Sequence, residues 1–112
     1  MAYNIGSHIT GDTWEGISSI TFLKNNSAIN LTNAFVEMNV RLSLDSPVLL
    51  SLTTPASAGI TILNPLSGSI RILPTTVNIP VGDYKWNIKM TFPDGTKKTY
   101  LMGNWPIISD LP

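Results

Sequence analysis

Two segments of this chain alternate between apolar and polar side chains, and this alternation most constrains what the chain can fold into. In residues 34–42 every even-numbered position is apolar, whereas Glu37, Asn39 and Arg41 stand at odd-numbered positions. Residues 84–92 repeat the pattern. A period of two places successive side chains on opposite faces of a strand. Both segments are therefore predicted to be long strands with one face in the core and the other in water. The expected core side chains are Val36, Met38, Val40, Trp86, Ile88 and Met90.

Shorter apolar runs surround these two segments, and turn residues separate them. The runs are residues 17–23, 48–52, 59–63, 69–73 and 97–102. Pro93-Asp94-Gly95 predicts a hairpin, because proline presets φ and glycine accepts a positive φ. Helix formers are scarce, with two Glu, no Gln and five Ala. The pattern predicts a single all-β domain, an antiparallel sandwich of about seven strands.

Composition excludes several classes of partner. The chain has 112 residues, of which 43% are hydrophobic and only 12% charged, and its formal net charge is zero. A neutral chain argues against a nucleic-acid partner and against an anionic membrane surface. The N-terminus has no signal-peptide pattern, and no apolar run is long enough to span a bilayer. We therefore expect a soluble protein made in a cytoplasm.

Catalytic and metal-binding groups do not form a recognisable set. His8 is the single histidine and there is no cysteine, which argues against a zinc site and a thiol nucleophile. A Ser-His-Asp triad would have to use His8, in a polar stretch with no obvious rigid support. Of the seven carboxylates, Glu37 lies on a strand and the others lie beside turn residues or at strand ends. The chain is predicted not to be an enzyme and to need no metal or cofactor.

Two tryptophans lie outside the clean alternation. Trp14 follows Thr13, and Trp105 precedes Pro106. As exposed aromatic residues they could stack on a sugar or fill an intersubunit pocket. Alternatively, they could close one end of the sandwich. The first interpretation leads to an alternative function, a carbohydrate-binding module that recognises a host-surface glycan.

Both ends of the chain carry apolar residues, which is unusual for free termini. Two interpretations are open: docking on a neighbouring subunit, or packing as edge strands of the same sandwich. The candidate interface residues are Tyr3, Ile5, Ile9, Ile107, Ile108 and Leu111. The predicted organisation is an N-terminal arm over residues 1–10, a sandwich over residues 11–108 and a tail over residues 109–112.

Several short motifs occur in a familiar order. Gly11-Asp12-Thr13-Trp14 opens the domain, and residues 28–34 lead into the first long strand. Later come residues 59–70, Val81-Gly82-Asp83-Tyr84 and the closing residues 103–107. This order resembles the small immunoglobulin-like modules of tailed bacteriophages and prophages, including the N-terminal domains of baseplate upper proteins. The chain departs from the usual pattern at Asn33, where glycine is common, and at Trp105, where a small or β-branched residue is common.

The resemblance implies a fold and a function. The fold would be an immunoglobulin-like β-sandwich, with Gly82-Asp83-Tyr84 similar to the turn before a tyrosine-corner strand. The function would be that of a non-enzymatic virion protein of a tail, baseplate or fibre attachment, assembled in the host bacterial cytoplasm. Capsid decoration is another role that such modules serve. The expected partners are other virion proteins and further copies of the chain.

Overall fold

The structure is a computed structural model that describes residues 5–43 and 45–109. Twelve strands form within these ranges: β1 (His8–Ile9), β2 (Thr13–Trp14), β3 (Ile17–Thr21), β4 (Leu23–Lys24), β5 (Ser27–Ala28), β6 (Phe35–Arg41), β7 (Val48–Thr53), β8 (Ile60–Asn64), β9 (Ser69–Ile72), β10 (Thr75–Thr76), β11 (Gly82–Thr91) and β12 (Lys97–Ile108). Single 3-10 turns occur at Ala56–Ala58 and Pro65–Ser67. No helix in the described ranges is long and apolar enough to cross a membrane.

The strands form the two layers of an immunoglobulin-like sandwich. One sheet has five strands in the order β1-β12-β11-β6-β7, and the other has three in the order β3-β9-β8. All neighbouring strands in these sheets are antiparallel except β1 and β12, which are parallel. Seven of the strands are four residues or longer, as the sequence pattern predicted. The all-β sandwich predicted from the alternation is confirmed.

The core lies between the two layers and is entirely apolar among the described residues. The two long strands pair in register, with Trp86 opposite Val40 and Ile88 opposite Met38. All six predicted core side chains of these strands are buried. No polar or charged residue of the described ranges is buried. The domain is therefore held together by hydrophobic burial, which is proportional to the apolar area removed from water.

A tyrosine corner fixes the chain where it enters β11. The Tyr84 hydroxyl donates a hydrogen bond of 2.7 Å to the Pro80 carbonyl oxygen. The ring itself is buried. Such a bond from the start of a strand to backbone a few residues upstream is a hallmark of immunoglobulin-like sandwiches. The segment Gly82-Asp83-Tyr84, which resembles the turn before a tyrosine-corner strand, therefore forms this corner.

Three asparagines adopt the left-handed backbone conformation. Asn25 and Asn26, with φ of 53° and 64°, make the two-residue turn of the β4–β5 hairpin. Positive φ at both positions matches the twist of a tight hairpin. Asn33 has φ of 59°. Asparagine tolerates this region better than most residues.

Two boundaries differ from the sequence prediction. Strand β12 continues to Ile108 instead of ending near Met102. Gly103 and Pro106 interrupt the sequence pattern, but both lie opposite β11 residues and the pairing is maintained. At the other end, His8 and Ile9 pair with the end of β12. Part of the predicted arm, residues 1–10, therefore belongs to the sheet. The predicted hairpin at Asp94 and Gly95 is confirmed.

Candidate interaction surfaces

The two candidate exposed tryptophans are core residues, so that prediction is wrong. Trp105 has no exposed area, and Trp14 keeps 9% of its surface. Their ring centroids lie 4.7 Å apart, and the Trp105 indole Nε1 donates a 3.0 Å hydrogen bond to the Gly6 carbonyl oxygen. The reason is that β12 extends further than expected and turns Trp105 inward. The pair lies in the core and offers no exposed platform for a sugar.

The described terminal residues pack largely against their own domain. Ile5 and Ile107 are buried, and Ile9 is half-buried in β1. The interface prediction is therefore wrong for Ile5 and Ile107, because the sandwich itself covers them. Ile108 remains 42% exposed at the end of β12. The candidates Tyr3 and Leu111 lie outside the described residues.

Titratable groups show no catalytic arrangement among the described residues. His8 Nε2 lies 2.9 Å from the Asp12 carbonyl oxygen, beside the Trp105 ring. No group of three histidine, cysteine or carboxylate side chains in the described ranges could hold a metal ion. The pKa of Asp94 is lowered from its ordinary value, chiefly because the Thr96 backbone N–H donates to its carboxylate at 2.8 Å. That bond belongs to a hairpin turn.

The outer face of the five-stranded sheet carries an open hollow with a volume of about 670 Å³. Polar and cationic side chains on β6, β11 and β12 line it: Asn39, Arg41, Lys85, Asn87, Lys89 and Asn104. They share this face because they alternate with the buried residues of the same strands. Lys85 Nζ donates to Asn104 Oδ1. No carboxylate of the described residues forms an ion pair with the three cations. The carboxylate of Asp45 also lines the hollow, so its lining carries charges of both signs and can hydrogen-bond polar groups.

Two amides that face each other across neighbouring strands line the hollow. Asn39 and Asn87 lie opposite each other in the β6–β11 pairing. Asn39 Oδ1 accepts a hydrogen bond of 2.9 Å from Ser51 Oγ. Asn87 Oδ1 is buried and has no hydrogen-bond partner among the described residues. This oxygen has almost no accessible surface, so a ligand could donate a hydrogen bond to it only after the Asn87 side chain moved.

A second surface, which we call the uncharged flank, comprises residues 46–70. No charged residue occurs in this stretch. It contains β7 and β8, which are the terminal strands of the two sheets. A bridge between Thr53 and Gly59 joins the end of β7 to the start of β8. The free edges of both sheets therefore lie on the same side of the sandwich, and neither carries a charge.

The uncharged flank exposes large apolar side chains. Val48 and Leu49 in β7 are 39% and 46% exposed, and Leu63 in β8 is 50% exposed. Leu66, in the 3-10 turn after β8, is 71% exposed. Natural edge strands are usually protected by charged residues, especially lysine. An uncharged, apolar edge on both sheets is typical of a surface that another chain covers.

Sequence reasoning missed both surfaces, although a signal for each was present. The absence of charge across residues 46–70 can be read directly from the sequence. Its meaning depends on β7 and β8 both being edge strands, which the sequence does not specify. The alternation of residues 34–42 and 84–92 places Asn39, Arg41, Lys85, Asn87 and Lys89 on the polar faces of two strands, whereas Asn104 lies beyond the predicted run 97–102. Their convergence depends on the order of β6, β11 and β12 in the sheet.

The chain was compared with protein families, curated proteins and solved structures. No family model and no curated protein matches the chain. Among solved structures, the chain is similar to extracellular domains 3–5 of Drosophila OTK, with 16% sequence identity and a TM-score of 0.33. The match covers 96% of this chain and 34% of that chain.

Proposed function

We propose that this chain is a non-enzymatic structural protein of a bacteriophage virion. It acts by protein–protein assembly in a tail, a baseplate or a fibre attachment. Assembly takes place in the host bacterial cytoplasm, and the partners are other virion proteins and further copies of the chain. The uncharged flank is the assembly surface, and it is the observation that carries the proposal.

Physical reasoning favours assembly for the flank. It presents the edge strands of both sheets, with β7 bridged to Gly59 at Thr53, together with exposed leucine and valine side chains. A contact made there gains backbone hydrogen bonds and buries apolar area at the same time. The zero net charge of the chain means that further copies meet little electrostatic repulsion. The order of the motifs, which resembles that of phage tail modules, supports the virion as the site of assembly.

The test is mass spectrometry of purified particles from the bacterial host that encodes the chain. We expect the chain in stoichiometric amounts, and immunogold labelling then distinguishes tail, baseplate, fibre and capsid. A variant with a charge on the flank, Leu63→Lys, should lower incorporation. The control Met102→Lys changes a residue that is 57% exposed on β12, away from the flank, and should be incorporated normally. Absence of the chain from particles would contradict the proposal.

A second candidate function is recognition of a host-surface glycan in the hollow. The three amides that line the hollow, Asn39, Asn87 and Asn104, favour it, because amide groups both donate to and accept from sugar hydroxyls. A glycan array probed with the wild-type chain tests this candidate. Binding that Asn87→Ala abolishes would support it, and an array without hits would remove it.

A further inference from the structure

The hollow on the five-stranded sheet contains two cations that lie directly opposite each other. Arg41 on β6 pairs with Lys85 on β11, and both side chains line the hollow. Residues directly opposite in an antiparallel pair have Cβ atoms about 5 Å apart, so like charges at such positions destabilise the sheet. The next residues across on β7 and β12 are Val48 and Asn104, which are uncharged. Four neighbouring strands therefore hold two positive charges and no negative charge at this level of the sheet.

The same two strands place their third cation opposite a carboxylate. Lys89 on β11 pairs with Glu37 on β6, four residues along each strand from the like-charge pair. Opposite charges at paired positions stabilise a sheet, whereas like charges destabilise it. The uncompensated pair of Arg41 and Lys85 is therefore particular to this position and is not a property of the whole sheet face.

Both cations keep hydrogen-bond donors for a ligand. The Arg41 guanidinium makes no hydrogen bond and no ion pair within the described part of the chain. Lys85 Nζ donates to Asn104 Oδ1, which uses one of its three donors. Asp45 lines the hollow and Asp83 lies two residues before Lys85, but within the described ranges neither carboxylate forms an ion pair with these cations. An anion bound between Arg41 and Lys85 would compensate both charges.

The rest of the lining favours a sugar as the carrier of the negative charge. Asn39 and Asn104 present amide groups, which suit sugar hydroxyls. The volume of about 670 Å³ is in the range of small-molecule sites and is far larger than a carboxylate or a phosphate needs. Trp86 is buried beneath the hollow, and Met102 is the one large apolar side chain exposed in its lining. The hollow therefore lacks the apolar centre that is typical of contacts between proteins.

We infer that the hollow binds an acidic glycan, a sugar that carries a carboxylate or a phosphate, and that Arg41 and Lys85 hold the negative group between them. This inference rests on the second candidate function, glycan recognition in the hollow, and names its class of ligand. Hydrogen bonds from a guanidinium or an ammonium to an anion are shorter and stronger than those between neutral groups. The exposed carboxylate of Asp45 repels the same anion and lowers the affinity.

The test is a glycan array of matched pairs, in which oligosaccharides with uronic acid or phosphate groups stand beside counterparts that lack the acidic group. The probe is the labelled full-length chain. We expect binding to acidic members to exceed binding to their uncharged counterparts by more than about tenfold, because a charge-assisted hydrogen bond is lost with the acidic group. The signal on acidic members should fall as the salt concentration is raised, since salt screens exposed charges.

Four variants assign the binding to the charges of the hollow. Arg41→Gln and Lys85→Gln should each weaken binding to the acidic glycans by more than about tenfold. The matched control Arg71→Gln removes an exposed arginine from β9, in the other sheet, and should bind as the wild type does. Asp45→Asn should strengthen binding by about two- to fivefold, because it removes the repelling charge. Only an acidic ligand predicts opposite effects of Arg41→Gln and Asp45→Asn.

Thermal unfolding separates this role from a structural one. Arg41→Gln should keep or raise the Tm of the free domain, because it removes a like-charge pair. A lowered Tm would show that Arg41 stabilises the sheet and would overturn the inference. So would equal binding of acidic and uncharged glycans, which would leave glycan recognition standing, or tighter binding to immobilised polyglutamate than to any glycan, which would indicate an acidic protein partner. An array without hits would remove both glycan recognition and the inference, while the virion function is tested separately by the composition of particles.

Discussion

Replacing Trp105 tests whether the tryptophan pair is structural. The side chain has no exposed area, contacts the Trp14 ring at a centroid distance of 4.7 Å and donates a hydrogen bond to Gly6. Replacing a buried aromatic residue by alanine removes its burial and leaves a cavity, at a cost of about 3–5 kcal/mol. Trp105→Ala should therefore lower the free energy of unfolding by about 4 kcal/mol.

A second substitution separates burial from hydrogen bonding. Trp105→Phe keeps an aromatic ring in the core but loses the Nε1 donor to the Gly6 carbonyl oxygen. A hydrogen bond of this kind contributes about 0.5–1.5 kcal/mol, and the smaller ring gives up part of the contact with Trp14. We expect a loss of about 1–2 kcal/mol.

The assay is urea unfolding followed by far-ultraviolet circular dichroism, since fluorescence changes when a tryptophan is removed. A matched control is Met102→Ala on the same strand, because Met102 is 57% exposed. The control should change stability by less than about 0.5 kcal/mol. If Trp105→Ala unfolds at the same urea concentration as Met102→Ala, the burial argument is refuted.

Three further substitutions test individual contacts with the backbone. Tyr84→Phe removes the corner bond to Pro80 and should cost about 1 kcal/mol, close to 4 °C in Tm by calorimetry; an unchanged Tm would show that the bond does not stabilise the domain. Gly16→Ala should cost about 2–4 kcal/mol in urea unfolding, because φ is +76° and the new Cβ would lie 2.1 Å from the Ile72 carbonyl oxygen, whereas Gly6→Ala, in open space, should be nearly neutral. The Asp94 pKa, measured by NMR titration, should lie below its ordinary value and rise in Thr96→Pro, which lacks the donor N–H. A pKa lowered by folding means that this stabilising contribution is present above the unfolded-state pKa and is lost as the pH falls through the folded-state value.

The alternation of the long strands was sufficient to predict much of the fold. Residues 34–42 and 84–92 have to bury one face, and β6 and β11 do so with the six side chains expected. The Pro93-Asp94-Gly95 turn was predictable because its backbone requirements are local. Tyr84 begins the second alternating segment on its apolar side, but its bond to Pro80 needed the turn geometry of the folded chain.

The surfaces depended on tertiary structure. Trp14 and Trp105 could not be assigned from pattern, because their burial results from the extension of β12 through Gly103 and Pro106 and from the covering N-terminal residues. The uncharged flank needed the knowledge that β7 and β8 are edge strands.

By itself, the sequence determined the all-β class, the inward faces of the long strands and the hairpin turn. These properties depend on the period of apolar residues and on local backbone preferences, which act over a few neighbouring positions. Tertiary structure alone decided the burial of the tryptophans and the convergence of the side chains that line the hollow. It also decided the position of the uncharged flank at two sheet edges. Strand order and strand ends arise from contacts between residues far apart in the chain. A local pattern carries no information about which strand remains unpaired.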